Sequence, residues 1–180
     1  MPIHFNWRIT KYDPGYRSYN GNYLREEWTS ISDICHVFEG SLTPITIHDY
    51  LQVENSYVDA VVRVMDCLKI ETLEVRGLEK WEEALEISQF NEIYSQKMRE
   101  LYSHTSEGIS LNKVEISLLC RLILREHIWC RLHANDSMFV HFGHDYYMFI
   151  GSEKKCADTL QKIRESGLFV EDFHSPINVD

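Results

Sequence analysis

The chain has 180 residues, which is enough for one domain with a substantial buried core. Its composition, 44% hydrophobic and 26% charged, is that of an ordinary globular protein, and no apolar run approaches the roughly 20 residues that cross a bilayer. The net charge of −10 disfavours binding to nucleic-acid phosphates. Because the N-terminus has no secretory signal pattern, we expect a cytoplasmic protein.

The first predicted elements are short. Ile3 to Ile9 alternates between apolar and polar residues and predicts a strand, and Asp13-Pro14-Gly15 predicts a turn. Asn20-Gly21 predicts a hairpin. A short helix is expected to begin at Ser30 or Ser32 and to end before Gly40.

The middle of the chain predicts two helices around a strand. Thr46 and Asp49 form a capping-box pattern ahead of apolar residues at helical spacing through Leu68, with Thr43 before Pro44 as an alternative start. Residues 71–76 alternate and predict a strand. Residues 79–103 look helical, with a possible break near Ser88.

The last third predicts an α-β-β-β-α-β unit. A helix capped by Ser110 is followed by strands at 128–132, 138–142 and 146–150, by a helix from Ser152 to Gly167, and by a strand at 168–173. We therefore predict an α+β fold, a two-layer sandwich with a mainly antiparallel sheet and helices on one face. We expect a single domain over 1–180, within which residues 1–107 could form a helical and hairpin subdomain packed on 108–180.

Five cysteines occur, and no two have the C-x-x-C spacing. They are Cys35, Cys67, Cys120, Cys130 and Cys156. Four lie within apolar patterns, so we expect reduced, buried thiols rather than a disulfide framework or a zinc site.

The hairpin after Cys130 contains the candidate catalytic pair. If the turn at Asn135-Asp136 pairs Met138 with His133, then Cys130 lies opposite His141, and a Cys–His pair can form a nucleophile. A slip of one residue removes this pairing. A packed core pair is the preferred interpretation.

His141, His144 and Asp145 are the residues that could hold a metal ion. His141 and His144 flank a predicted turn, so their side chains need not converge. We therefore favour histidines that hydrogen-bond at the sheet surface, with neither metal nor cofactor.

Two surfaces favour protein binding. Residues 71–92 contain seven acids and two bases, a net charge of −5, which would steer a basic partner towards them. The segment from Lys11 to Trp28 is rich in aromatics and is either a recognition surface or a flap packed on the core. The candidate binding residues are Tyr16, Tyr19, Tyr23, Trp28, Glu79, Glu82, Glu83, Glu86, His144 and Asp145.

These features lead to two functional hypotheses. The first is a non-enzymatic, acidic cytosolic inhibitor, similar in character to an immunity protein or antitoxin, that binds and neutralises a basic protein. The alternative is a small cytosolic enzyme or ligand sensor that uses Cys130, His141, His144 and Asp145.

Overall fold

One antiparallel sheet organises residues 3–81 and 88–177, the parts of the chain that the computed structural model describes. The seven strands within these ranges are β1 (Phe5–Thr10), β2 (Thr72–Lys80), β3 (Ser110–Asn112), β4 (Ile128–Ala134), β5 (Met138–Phe142), β6 (Met148–Ser152) and β7 (Phe169–Asp172). The helices are α1 (Ile47–Leu68), α2 (Gln96–His104), α3 (Lys113–Leu124) and α4 (Ala157–Glu165). The sheet order is β3-β2-β4-β5-β6-β1-β7, and it does not close into a barrel.

The predicted fold class is confirmed. The helices cover one face of the antiparallel sheet, and α3-β4-β5-β6-α4-β7 is the predicted C-terminal unit. The single sheet also contains strands from both sides of position 107, because β1 pairs with β6 and β7 while β2 pairs with β3 and β4.

Residues alternate between the two faces of the sheet, as strand geometry requires. Cys130, Leu132 and Val140 belong to the core under the helices. His133 and His141, at alternate positions on the same strands, point to the opposite side, which we call the far face. Both are nevertheless buried.

The capping box of α1 is confirmed. The predicted helix over 79–103 is confirmed in its last part, which is α2, and is wrong at its start. Glu79 and Lys80 belong to β2 because they pair with Trp129 and Ile128. Cross-strand pairing with a central strand here overrides a local helical pattern. Residues 82–87 lie outside the described ranges, Ser88–Ile93 form 3₁₀ turns, and α2 begins only at Gln96.

Three predicted helices also differ from the observed elements, two of them in their starts and one in its length. Asn112 rather than Ser110 caps α3, and Ser152 ends β6 while α4 begins at Ala157. The predicted helix from Ser30 is a single 3₁₀ turn, Ile31–Asp33, which Ser30 caps. Around Asn20-Gly21 the described pairing is one isolated bridge between Arg17 and Tyr23, so the hairpin is minimal.

The expectation that all cysteines are reduced is wrong for two of them. Cys67, in the last turn of α1, forms a disulfide with Cys156, which immediately precedes α4. The two residues are 89 positions apart, and only the packing of the helices brings their Cα atoms to 6.1 Å, a separation that a disulfide can span. Cys35 is a free, exposed thiol, and Cys120 and Cys130 are free and buried.

The longest helix, α1, is 22 residues long, and its two faces differ. Val58, Val61 and Met65 are buried, whereas Asp59 and Arg63 are exposed. Within the described ranges, no helix combines the length and the hydropathy needed to cross a membrane.

Candidate functional site

A cleft walled by two tryptophans lies where β4 begins and β5 ends. It consists of two adjoining cavities, of about 250 Å³ and about 540 Å³. Both cavities are lined by Trp81, Trp129, Phe142, Gly143 and His144, and we call them together the tryptophan cleft. The smaller cavity adds Glu126 and Asp145, and the larger adds Glu79 and the C-terminal residues Pro176 and Ile177.

The register between β2 and β4 positions both indoles. Glu79 pairs directly with Trp129, and the Trp81 amide donates to the His127 carbonyl at 3.1 Å, one step further along the ladder. Glu79 and Trp129 are therefore cross-strand neighbours on one face. The Trp129 indole Nε1 donates to the Phe142 carbonyl at 2.8 Å, which fixes its ring, while Trp81 is 46% exposed.

The lining of the cleft is acidic. Glu79, Glu126 and Asp145 contribute carboxylates, and among the described residues that line the two cavities there is no lysine or arginine. Burial raises the pKa of Glu126, and the negative charge of Asp145 raises it further. A cation in the cleft would relieve this unfavourable accumulation of negative charge.

Glu126 occupies a backbone position that favours glycine. Its φ is 64°, and it directly follows Arg125, the C-cap of α3. The Glu126 amide donates to Ile123 and the His127 amide to Leu122, both at 2.9 Å, which is the Schellman pattern. The end of α3 therefore fixes the backbone of Glu126 in a left-handed conformation at the cleft.

Arg125 anchors that helix end. Its Nε donates to Glu54 Oε1 at 2.6 Å and its Nη2 to Glu54 Oε2 at 2.7 Å, and Arg121 Nη1 also reaches Oε2 at 2.7 Å. Glu54 is fully buried in α1. Because breaking a buried ion pair is strongly destabilising, this cluster fixes α3 against α1.

The second acidic wall is a turn with two consecutive left-handed residues, Asp145 at φ 55° and Tyr146 at φ 64°. The Tyr12 hydroxyl donates to the Asp145 carbonyl and the Tyr57 hydroxyl to the Tyr146 carbonyl, each at 2.6 Å. Burial raises the pKa of Tyr57 well above its usual value, so its hydroxyl stays protonated. These bonds hold a strained turn that presents His144 and Asp145 to solvent.

Two buried histidines lie elsewhere on the far face. Nε2 of His133 is 3.3 Å from Nε2 of His141, and His141 Nδ1 is 3.0 Å from the Ser175 hydroxyl. The Phe139 ring stacks on His141 at 4.3 Å between centroids and also lies over Gly151, where a Cβ would be only 2.1 Å from its Cε1 atom. Burial lowers the pKa of His133 to about 4 and that of His141 to about 3. The pair is thus neutral near pH 7 and belongs to the packing.

The predicted Cys130–His141 pairing is wrong. Ala134 pairs with Met138, so the residue opposite His141 is Arg131. This one-residue slip turns Cys130 towards the helices and His141 towards the far face. Burial also raises the pKa of the Cys130 thiol, which opposes formation of a nucleophilic thiolate.

The candidate metal ligands are not brought together. His144 and Asp145 lie exposed on the turn, whereas His141 is fully buried beside Ser175. Within residues 3–81 and 88–177, no group of three or more His, Cys, Asp or Glu side chains could hold a metal ion. Cys130, His141, His144 and Asp145, the four side chains that the enzyme or sensor hypothesis uses, are therefore not brought together.

The aromatic segment after Lys11 does not form one surface. Tyr19 is 99% exposed, and Tyr16 is half-exposed beneath the Arg25 guanidinium. Tyr23 is half-buried and donates to Glu27. Trp28 is only 7% exposed and packs against core rings, so its assignment as a binding residue is corrected.

Of the predicted acidic contacts, Glu79 is exposed at the cleft, and Glu82, Glu83 and Glu86 lie outside the described residues. Trp81, Trp129 and Glu126 were not among the residues predicted from the sequence. One available signal was Trp129, a large aromatic residue that strand alternation places on the opposite face from Ile128 and Cys130. The meeting of that strand with Trp81, 48 positions earlier, leaves no local signal.

The fold and the cleft define a structural class: an α+β protein with an open antiparallel sheet and an acidic, aromatic cleft at one end of it. Comparison with protein-family models, with curated proteins and with solved structures gave no significant match. The chemistry of the cleft must therefore be argued from its own side chains.

Proposed function

We propose that this protein is a non-enzymatic binding protein, an acidic inhibitor of the immunity or antitoxin kind, which holds a basic protein partner at the tryptophan cleft. The observation that supports the proposal is the cleft lining: two indoles and three carboxylates, with no lysine or arginine among the described lining residues. Such a surface is complementary to a cationic side chain.

The residue types are those that dominate binding energy at protein interfaces. Tryptophan is enriched in hot spots, especially in pockets that exclude water on binding. Trp81 leaves 46% of its surface exposed beside the fixed ring of Trp129. Covering that surface with a partner would bury apolar area that is now in contact with water.

The charge of the whole chain supports the same kind of partner. The net charge of −10 favours encounter with a basic protein, and half of it belongs to residues 71–92, which include Trp81. Three further acids lie within five residues after Trp81 in the chain and stay predicted contacts of the basic partner: Glu82, Glu83 and Glu86.

We also propose a cytoplasmic site of action, which requires that the protein works without its disulfide. The cytosol keeps most thiols reduced, so the Cys67–Cys156 disulfide would be open there. Binding at the cleft should then not depend on this bond, because neither cysteine lines the cleft.

A capture experiment tests the proposed function. The protein is immobilised and exposed to lysate of its source cell at low and high salt, alongside a cleft variant (Glu79→Lys, Glu126→Lys and Asp145→Lys). A matched control (Glu39→Lys, Asp59→Lys and Glu165→Lys) makes the same change in net charge at exposed acids that neither line the cleft nor belong to residues 71–92.

We expect the parent and the control to retain the same basic protein, the cleft variant to lose it, and high salt to release it. Equal loss in the control and the cleft variant would show that overall charge alone attracts the partner. Retention by the cleft variant, or binding that does not depend on salt, would contradict the proposal.

A further inference from the structure

We infer that the tryptophan cleft recognises an arginine side chain of the partner in preference to lysine, and that Glu126 and Asp145 bind its guanidinium. The inference rests on the proposed function, which requires only a basic partner. It adds the kind of cation and the two residues that determine the preference.

Several aromatic rings elsewhere in the protein lie against a cationic side chain. Lys11 lies 4.3 Å from the centroid of Trp28, Arg25 lies 3.3 Å from that of Tyr16, and Arg8 lies 4.2 Å from that of Phe173. Those rings already have a cation from the chain itself. Across residues 3–81 and 88–177, by contrast, no lysine or arginine lies over Trp81 or Trp129. Indole gives the most favourable cation–π contact, so these two rings are suited to a cation from outside.

Two of the carboxylates at the cleft belong to residues in an unfavourable backbone conformation. Glu126 and Asp145 both have left-handed backbone, at φ 64° and 55°, and both line the smaller cavity. Glycine would adopt these conformations without strain. Strained residues that carry side chains cluster at functional sites, and here both strained acids lie on the same cavity.

The backbone that carries the two carboxylates, and one of the two indoles, are held by hydrogen bonds within the protein. The Schellman bonds hold Glu126 and the Tyr12 hydroxyl holds the Asp145 carbonyl, while the Phe142 carbonyl fixes the Trp129 indole. A site whose walls are fixed before binding loses little conformational entropy when it binds. It also favours a ligand group whose own shape is fixed.

A guanidinium meets these requirements better than an ammonium. It is planar, stacks on aromatic faces and presents its donors as a rigid fork that suits carboxylates. An ammonium group is compact and strongly hydrated, and it gains less from flat walls. Two indoles with two carboxylates on fixed backbone therefore favour arginine.

The test uses three glycine-flanked peptides that differ at one position, which is arginine, lysine or the neutral arginine isostere citrulline. Binding to the full chain is followed by NMR titration of the indole N–H signals of Trp81 and Trp129. We expect the arginine peptide to shift both signals and to bind about tenfold or more tightly than the lysine peptide. The citrulline peptide should leave both signals unchanged.

Substitutions at the two acids test whether Glu126 and Asp145 determine the preference for arginine over lysine. Glu126→Gln and Asp145→Asn keep side-chain shape and should each reduce the arginine preference at least about threefold, whereas Glu39→Gln, at an exposed acid away from the cleft, should not. Unchanged backbone amide signals away from the cleft show that each variant is folded.

Equal binding of arginine and lysine peptides would overturn the inference and leave the proposed function intact. Failure of both peptides to bind would overturn the inference as well, and capture of a basic partner from lysate then decides the proposed function independently.

Discussion

At the scale of single residues, Glu126 combines strain with a candidate function. Left-handed backbone costs a residue with a Cβ roughly 1–2 kcal/mol, and substitution by glycine removes this cost. Glycine also has greater conformational freedom in the unfolded chain, which offsets part of the stabilisation. We therefore expect Glu126→Gly to raise the free energy of unfolding by about 0.5–1 kcal/mol in urea denaturation. It should weaken binding at the cleft at the same time.

Lys69 provides the control for this trade-off. It is exposed, has φ 57° at the end of α1, and does not line the cleft. Lys69→Gly should stabilise the protein by a similar amount without changing binding. If Glu126→Gly stabilises the protein and binding is unchanged, the Glu126 carboxylate has no part in recognition.

The buried histidines predict a pH dependence of stability. Burial lowers the pKa of His127 and His133 to about 4 and that of His141 to about 3. The unfolded chain binds protons at these residues below its ordinary histidine pKa near 6.5, whereas the folded state does not. The stability that comes from keeping these histidines neutral in the fold is therefore fully present above about pH 6.5, and it is lost as the pH falls towards about 4.

We expect His133→Gln to reduce the fall in unfolding free energy between pH 6 and pH 5 by up to about 1.4 kcal/mol, measured by urea denaturation at each pH. The exposed substitution His48→Gln is the control, since it leaves the far face intact. The same slope in the parent and in His133→Gln would show that His133 binds protons equally in the folded and the unfolded protein, which would contradict a lowered pKa for His133.

At the scale of elements, the start of α1 is the feature that local sequence describes best. The Asp49 amide donates to Thr46 Oγ1 at 3.1 Å, and the Thr46 amide donates to Asp49 Oδ2 at 3.0 Å. Thr46→Ala should lower the free energy of unfolding by about 1 kcal/mol in urea. Thr43→Ala, at the alternative start, should change it little, and the reverse order would place the true start of the helix at Thr43.

Element prediction succeeded where one periodicity dominates, and failed where long-range pairing decides. The apolar stripe of α1 and the short strand β5 were predicted with nearly the observed bounds. Glu79 and Lys80 have a helical pattern around them, yet they extend β2 because β4 supplies their hydrogen-bond partners. The error in the Cys130 register also concerns long-range pairing. The predicted turn, between His133 and Met138, is one residue longer than the observed turn between Ala134 and Met138, and this difference moves Cys130 to the face opposite that of His141.

At the scale of the whole molecule, the Cys67–Cys156 disulfide closes α1 onto α4 across 89 residues of chain. We expect the denatured, unreduced protein to show three reactive thiols and the reduced protein five, from the three free and two bonded cysteines. Reduction should lower the free energy of unfolding by about 2–4 kcal/mol, because the bond restricts the unfolded chain. Five thiols before reduction would show that the two cysteines do not bond.

The sequence by itself determined the acidic charge, the amphipathic helices and the succession of short strands, and hence the α+β class, because each of these depends on composition or local periodicity. Only the tertiary structure decided the cleft, the disulfide and the faces of Cys130 and His141. Trp81 and Trp129 meet through a β-ladder, and Cys67 and Cys156 meet through helix packing. Such contacts join residues far apart in the chain, and their register depends on packing that no local pattern encodes.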